Sequence, residues 1–159
     1  MFMDKMVIEN GEFFARVTEL LAQGKTVTIP VKGFSMLPFI RGEKDLVVLD
    51  KPGPLSVGDI VLFRIGDRYI MHRIIRMDGN RLEIRGDGVY ASTEKVTVDS
   101  VCGKAVKILR AGKREVDPYS PCQKRLLGLW NFLMPLRRYL LWFYRHLPWN
   151  RKWVKAHNI

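Results

Sequence analysis

A serine stands in a turn-forming segment whose residue types suit a nucleophile. Ser35 follows Gly33 and precedes Pro38 in the run Val31–Ile40, which joins a strand-like stretch to a turn. Glycine permits close backbone approach, and proline prevents the chain from continuing as a regular strand. A serine held in this way can expose its hydroxyl while its own backbone N–H faces a reacting carbonyl. A serine in a glycine-containing turn is also ordinary, so this segment alone assigns no function.

A histidine inside a strand-like run supplies a candidate general base. His72 lies in Tyr69–Ile75 among large apolar residues. The two-residue period of a strand places Ile70, His72 and Ile74 on one face and Arg73 on the other. A serine hydroxyl is a poor nucleophile without a base, and neutral imidazole is the usual group to accept its proton. The alternative is a partly buried histidine with a satisfied hydrogen bond.

An aspartate between two glycines is the third candidate. Asp87 follows the strand-like run Arg81–Ile84 within Gly86-Asp87-Gly88. Such an aspartate most often forms a turn with its own backbone. It can instead orient the second ring nitrogen of His72, which would complete a Ser-His-acid arrangement.

Taken together, these segments resemble a known group of peptidases. The similarity lies in the order and spacing of four boxes over Val31–Ile108, each short but specific in combination. The boxes are Gly33-Phe34-Ser35-Met36-Leu37-Pro38, Gly58-Asp59-Ile60-Val61, His72-Arg73 and Gly86-Asp87. The chain thus resembles the signal peptidase / LexA-like serine peptidases, families S24 and S26. The resemblance implies a serine endopeptidase that cleaves an extended peptide or precursor protein, and we expect no cofactor and no metal.

The resemblance also implies a role for each matching residue. Ser35 corresponds to the nucleophile, and His72, which precedes the arginine of its box, corresponds to the base of the Ser-His branch. Asp87 of the Gly-Asp box or the nearby Glu94 would be the third member, and we prefer Asp87. Gly33 stands where some relatives have a hydroxyl residue, which leaves backbone N–H groups, that of Ser35 included, to bind the oxyanion. The N-terminal membrane anchor usual in the family is not seen.

The elements that must position these residues form a mainly β domain. Asn10 can cap a helix over residues 11–23, where apolar residues recur at helical spacing and Gly24 follows. Seven short strand-like runs separated by Gly, Pro and Asp turns then fill residues 26–109, and Asp78-Gly79 predicts a hairpin. We therefore expect a peptidase domain over residues 1–121, with its β core over 26–116, and a separate tail over 122–159. The predicted strands are Thr26–Ile29, Asp45–Leu49, Asp59–Phe63, Tyr69–Ile75, Arg81–Ile84, Val96–Val98 and Val101–Leu109.

The tail is basic and aromatic. Of the net charge of +11, residues from Lys124 onward contribute eight cations and no acid, and they hold all four tryptophans. Polar residues recur every seventh position, and Pro135 and Pro148 are expected to kink or divide the helix. This composition predicts an amphipathic helical segment on an anionic membrane surface, although packing on the β domain or on a second subunit is the alternative. The expected membrane-contacting residues are Trp130, Arg137, Arg138, Trp142, Arg145 and Trp149.

Other classes fit less well. Two cysteines, Cys102 and Cys122, are too few for a zinc finger or a disulfide framework. The sequence contains no charge-free apolar run of about 20 residues, so no membrane-spanning helix is predicted. Met1–Asn10 lacks the apolar region of a secretory signal. We therefore expect a cytoplasmic location or one at the cytoplasmic membrane face. A LexA-like self-cleaving regulator is disfavoured because too few residues precede the first strand for a DNA-binding domain, and no nucleic-acid partner is expected. An inactive membrane-surface binding module is the second alternative, and the sequence does not predict the oligomeric state.

Overall fold

An N-terminal helix, an antiparallel sheet and two C-terminal helices make up the described part of the protein. The structure, a computed structural model, describes residues 10–146 apart from the side chains of Asn10 and Arg145. The predicted mainly β fold with helices at both ends is confirmed. The elements are α1 (Asn10–Ala22), β1 (Val27–Pro30), β2 (Leu46–Asp50), β3 (Ile60–Ile65), β4 (Arg68–Asp78), β5 (Arg81–Arg85), β6 (Glu94–Thr97), β7 (Val101–Arg110), β8 (Arg114–Val116), α2 (Pro121–Phe132) and α3 (Arg137–His146).

Helix α1 lies where the helical spacing of apolar residues predicts it, within one residue at each end. Val17 and Leu21 are buried in the core, and the polar side of the helix is exposed. Gly24 has a φ of +77° and donates its N–H to the carbonyl oxygen of Leu21 at 2.9 Å. Glycine adopts this left-handed conformation at little cost, so it ends the helix and turns the chain toward β1. The expected capping by Asn10 concerns a side chain outside the described residues.

Within residues 10–146 the sheet has eight strands in the order β1-β2-β7-β3-β4-β5-β6, with β8 paired to β7. The run β3 to β6 is a meander of hairpins, and the first of its tight turns after β4 contains Gly79, as predicted from Asp78-Gly79. β7 then returns to the middle of the sheet between β2 and β3. Strand β8 was not predicted, because three residues are too few to show a two-residue period.

The sheet buries apolar residues on both faces, which explains why β3 is buried over four consecutive positions. One cluster joins α1 to the sheet and contains Leu21, Met36 and Leu62. The other contains Val61, Phe63 and Ile74. Two consecutive residues of β3, Val61 and Leu62, therefore belong to opposite faces, as strand geometry requires.

The C-terminal segment is helical and divided at Pro135, as predicted. Ser120 accepts a hydrogen bond from the backbone N–H of Gln123 at 3.4 Å, and Pro121 occupies the first turn of α2, an arrangement that favours a helix start. Met134–Leu136 form a single 3-10 turn that separates α2 from α3. Neither these nor α1 has the length and apolar content to cross a membrane. The predicted break at Pro148 lies outside the described residues.

Candidate active site

The serine segment is anchored by its neighbours. Met36, Leu37, Phe39 and Ile40 are buried, whereas Ser35 itself is half-buried at the end of the segment that follows β1. The backbone turns tightly there, with the N–H of Leu37 donating to the carbonyl oxygen of Phe34 at 3.1 Å. Apolar anchors on one side of a turn hold the backbone and leave the remaining side chain toward the surface. The local sequence therefore places Ser35 on a firmly held, accessible turn.

The Gly86-Asp87-Gly88 loop packs directly on this turn. The N–H of Gly88 donates to the carbonyl oxygen of Ser35 at 2.7 Å. A Cβ atom at position 86 would overlap that same carbonyl oxygen and would lie 3.0 Å from Nε2 of His72. Both glycines are thus required by close approach rather than by a special dihedral. The backbone of Gly86 therefore borders both the carbonyl oxygen of Ser35 and Nε2 of His72, and the pairing of the Ser35 hydroxyl with the imidazole stays a prediction.

His72 is buried and has a carboxylate at its other ring nitrogen. Nδ1 of His72 lies 3.1 Å from Oε2 of Glu94, the first residue of β6. An ionised carboxylate can only accept a hydrogen bond, so in this contact Nδ1 is the donor, and a neutral ring would then have its acceptor at Nε2. The ring packs near Phe63, with 6.2 Å between the ring centroids, on the face of β4 that the two-residue period predicts. For a neutral ring, this is the tautomer that a general base needs.

The preference for Asp87 over Glu94 does not agree with this geometry. Both carboxylate oxygens of Asp87 accept hydrogen bonds from Arg73, at 2.8 to 3.2 Å, and both side chains are buried. His72 and Arg73 are consecutive in β4 and point to opposite faces, so Asp87 reaches the arginine and Glu94 reaches the histidine. Asp87 therefore braces its loop against β4, while Glu94 contacts the imidazole.

Arg73 is a site residue that the sequence analysis passed over. Besides Asp87, its guanidinium donates to the carbonyl oxygen of Gly58 at 2.8 Å and lies over the ring of Phe39, 5.4 Å from its centroid. Arg73 thus contacts the residues just before β3, the serine segment and the Gly86-Asp87-Gly88 loop. A sequence signal existed, since an arginine in a buried strand needs a carboxylate partner. The sequence did not say which one.

The Gly-Asp-Ile-Val box supports the strands rather than the reacting groups. Asp59 forms an ion pair with Lys104 at 2.8 Å and accepts the N–H of Ser56 at 2.9 Å. Next to it, the hydroxyl of Tyr119 donates to the carbonyl oxygen of Ala105 at 2.7 Å, and burial raises the pKa of Tyr119 to about 12. The phenol therefore stays protonated and links β7 to the chain that leads into α2.

The C-terminal segment packs on the Gly86-Asp87-Gly88 loop. Two residues that were expected to contact a membrane, Trp130 and Arg137, contact this part of the chain instead. The indole N–H of Trp130 donates to the carbonyl oxygen of Asp87 at 2.7 Å, and Arg137 is buried against the same loop. Trp130 and Arg137 thus face the domain together, since the guanidinium of Arg137 lies 5.1 Å from the centroid of the Trp130 ring and both side chains share one face of the segment. Arg138 and Trp142 are exposed, and their contact with a membrane stays a prediction. The side chain of Arg145 and the whole of Trp149 lie outside the described residues.

Among residues 10–146, no group of three or more His, Cys, Asp and Glu side chains is arranged to hold a metal ion. The two cysteines are unbridged: Cys102 is half-buried, and Cys122 is exposed at the start of α2. The candidate reacting groups of this region are the hydroxyl of Ser35, the imidazole of His72 and the carboxylate of Glu94. This set can transfer a proton away from a hydroxyl and return it.

Comparison with known proteins agrees with the geometry at the level of a family. No curated protein matches the sequence. A family model described as Peptidase S24-like matches residues 4–106. The matched range contains Ser35, His72, Asp87 and Glu94 and ends before α2 begins. Because the match spans well over half of the sequence, the chain belongs to the Peptidase S24-like family.

Proposed function

We propose that the protein is a serine endopeptidase with Ser35 as nucleophile, His72 as general base and Glu94 as the acid that orients it. The observation that carries the proposal is the placement of His72 between a carboxylate and the serine turn. Nδ1 contacts Glu94 at 3.1 Å, and Nε2 borders the Gly86 backbone that packs on Ser35. A serine, a base and a third group that orients the base are the parts that nucleophilic acyl transfer requires.

The reaction would follow from these positions. Nε2 of His72 accepts the proton of the Ser35 hydroxyl as its oxygen attacks the carbonyl carbon of the scissile peptide. The imidazolium, stabilised by Glu94, then returns that proton to the leaving amine, and an acyl-enzyme ester remains. A water molecule hydrolyses the ester by the same proton transfers and restores Ser35. The backbone N–H of Ser35 is the proposed oxyanion donor.

An extended peptide or precursor protein is the substrate class that the sheet suits best. Among the described strands β1 pairs only with β2, so its second edge carries no strand. The chain runs from the end of β1 at Pro30 to Ser35 within five residues. A peptide added as a strand along this edge would be led toward the nucleophile.

The test is cleavage of a synthetic peptide library, read by mass spectrometry. Wild type should cleave, whereas Ser35→Ala and His72→Ala should each lose at least about 1,000-fold in rate. Ser92→Ala and His146→Ala are matched controls, since both residues are exposed, and they should retain activity. Fragments of the protein's own chain in the same spectra would indicate the self-cleaving regulator instead. Full activity in His72→Ala would contradict the Ser-His mechanism, and a wild type that cleaves neither peptides nor itself would favour the inactive binding module.

We also propose that the C-terminal segment holds the peptidase on an anionic membrane surface. This proposal now rests on the exposed side chains of α2, α3 and the turn between them. Phe132 is 81% exposed and Trp142 62% exposed, values unusual for large apolar side chains. The exposed large apolar residues of this segment, called here the apolar set, are Leu126, Leu129, Phe132, Met134, Leu136, Tyr139, Leu140, Trp142 and Phe143.

The charge around the apolar set favours lipid over a second copy of the chain. Lys124, Arg125 and Arg138 are exposed, and no acidic residue occurs after Lys124. A second copy would bring like charges together, whereas anionic headgroups attract each nearby cation by about 1 kcal/mol. Tryptophan and tyrosine side chains also favour the headgroup level. This arrangement fits a segment lying in the interface.

Vesicle co-sedimentation tests this location. Wild type should bind vesicles of equal phosphatidylglycerol and phosphatidylcholine. Adding 0.5 M NaCl should weaken the binding, because it shortens the Debye length to roughly 4 Å and screens the attraction. The double variant Phe132→Ser/Phe143→Ser should bind at least about tenfold less, because two exposed phenyl groups leave the interface. Val57→Ser, an exposed apolar residue outside the segment, is the control and should bind like wild type. Unchanged binding of the double variant would contradict the proposal, as would a wild type that binds no vesicle but sediments as a dimer.

A further inference from the structure

We infer that the C-terminal helices position the Gly86–Val89 loop against Ser35, with Trp130 and Arg137 as the positioning residues; the catalytic part of this inference rests on the proposed function. Both residues lie beyond the family match, which ends at residue 106. The inference therefore concerns a part of this chain that the family model does not describe.

Trp130 makes the shorter of the two contacts. Its indole N–H donates to the carbonyl oxygen of Asp87 at 2.7 Å, although the two residues are 43 positions apart. An indole has a single donor and no acceptor, so this bond uses its entire hydrogen-bonding capacity. The half-buried ring also fixes the direction of the bond. Asp87 is thus held through its side chain by Arg73 and through its backbone by Trp130.

Arg137 makes the second contact, and this contact requires that its charged guanidinium be buried. Arg137 is 1% exposed, and its guanidinium lies 5.1 Å from the centroid of the Trp130 ring and donates to the carbonyl oxygen of Val89 at 3.4 Å. It also donates to the backbone oxygen of Trp130 at 3.4 Å and to Oδ1 of Asn131 at 3.1 Å. Its Nε has no hydrogen-bond partner in the described part of the chain. Burial lowers the pKa of Arg137, and Arg85 lowers it further.

A buried cation without a direct carboxylate partner adds little to the free energy of unfolding. We therefore assign Arg137 a role in positioning the chain segments that it contacts. The end of α2 is a favourable place for a cation, because the last carbonyl groups of a helix point there. Arg137 therefore joins the end of α2 to Val89. It also supports the indole ring that binds Asp87.

The three loop residues form contacts in alternation. Asp87 and Val89 present their carbonyl oxygens to the C-terminal segment, while Gly88 between them donates its N–H to Ser35 at 2.7 Å. The loop thus lies between the nucleophile and the helices. Any displacement of Trp130 or Arg137 would loosen the Gly88 contact and the backbone of Gly86, which borders Nε2 of His72. We infer that this contact chain fixes the distance between the hydroxyl and the imidazole.

Paired variants of the full chain test the inference. Trp130→Phe removes the N–H donor and keeps an aromatic ring, and Tyr90→Phe, which removes the hydroxyl of an exposed ring outside the apolar set, is its control. Arg137→Met removes the buried cation, and Arg68→Met, its control, removes an exposed cation outside the C-terminal segment. Methionine at a buried arginine site is expected to fold, because replacing a buried charge with an apolar side chain is often neutral. Native-state hydrogen exchange of the Gly88 and Val89 amides is measured, together with kcat and KM on a cleaved library peptide.

Loss of either contact should speed exchange at Gly88 and Val89 by about tenfold, the size of one net hydrogen bond. The value of kcat should fall by a similar factor while KM changes less than about twofold, since substrate binding along β1 is not altered. Wild-type exchange rates in both Trp130→Phe and Arg137→Met would overturn the inference. Faster exchange with unchanged kcat would overturn the catalytic part. If the wild type cleaves no peptide, the proposed function fails, and the exchange rates alone still decide whether the helices hold the loop.

Discussion

The guanidinium of Arg73 donates hydrogen bonds to both carboxylate oxygens of Asp87, at 2.8 to 3.2 Å, in a buried ion pair. Arg73 follows His72 directly in β4, and the two side chains lie on opposite faces of the strand. This pair explains how two acids near one histidine acquire different tasks. Asp87 neutralises a buried arginine and fixes a loop, and Glu94 is left to contact His72. Each of the two acids can be removed separately, which gives the first two predictions.

Asp87→Ala should destabilise the fold strongly. The substitution leaves Arg73 buried without its partner, a change that typically lowers the free energy of unfolding by about 3–5 kcal/mol. Asp67→Ala is the matched control, because Asp67 pairs with Arg64 on the surface and is fully exposed, and it should cost less than about 1 kcal/mol. Urea denaturation of both variants measures the difference. Equal stability of the two variants would contradict the structural role given to Asp87.

Glu94→Gln should instead lower activity with little loss of stability. The amide keeps the size of the side chain but can donate to Nδ1, which favours the tautomer in which Nε2 carries the proton and cannot act as a base. We expect kcat to fall by about 100-fold or more, while Glu115→Gln, an exposed residue of β8, keeps wild-type kcat. Peptide cleavage rates and urea midpoints are measured together. Wild-type kcat in Glu94→Gln would remove this residue from the mechanism.

Gly86→Ala should disrupt the site by steric overlap. The added methyl group would collide with the carbonyl oxygen of Ser35 and approach Nε2 of His72 to 3.0 Å. Since backbone atoms cannot easily yield, we expect a loss of about 1–3 kcal/mol in stability and a loss of cleavage in the molecules that fold. Gly53→Ala, where a Cβ meets nothing within 4 Å, should resemble wild type. Thermal unfolding and cleavage at a temperature where both variants are folded provide the comparison.

Stability should fall in acid because of Asp45, a buried carboxylate that contacts Arg41, Arg110 and Ala111. Burial alone would raise the pKa of Asp45, but hydrogen bonds from Arg41 and Ala111 and the charge of Arg110 outweigh it and lower the pKa overall. A carboxylate whose pKa is lower when folded stabilises the fold above its unfolded pKa of about 3.9 and loses that contribution as pH falls through the folded value.

The free energy of unfolding of the wild type should therefore decline steeply below about pH 4. Asp45→Asn should be less stable at pH 7 and should show a flatter decline in the same acid range, because the titrating group is gone. Asp78→Asn, an exposed position, should follow the wild-type curve. Urea unfolding at intervals from pH 7 to the acid range tests this. Parallel curves for wild type and Asp45→Asn would show that Asp45 does not control the acid response.

The sequence alone determined most of the elements and predicted Ser35 and His72 as the reacting pair. Periodicity predicted α1 and the seven longer strands, because burial on one side of an element leaves a regular pattern of apolar residues. The boxes around Ser35 and His72 predicted that a hydroxyl and an imidazole would meet. The division of the C-terminal segment followed from Pro135, whose ring is incompatible with a helix interior. These features depend on local chemistry, which a single sequence displays.

Only the tertiary structure decided which acid contacts His72 and which way the C-terminal helices face. Asp87 and Glu94 both follow β5, and their distances along the chain do not distinguish them. The choice depends on which face of β4 each one reaches. Likewise, the spacing of Trp130 and Arg137 fitted a membrane-facing helix, but the structure turns the face that they share toward Asp87 and Val89. Such contacts join residues more than 40 positions apart, and no local pattern records them.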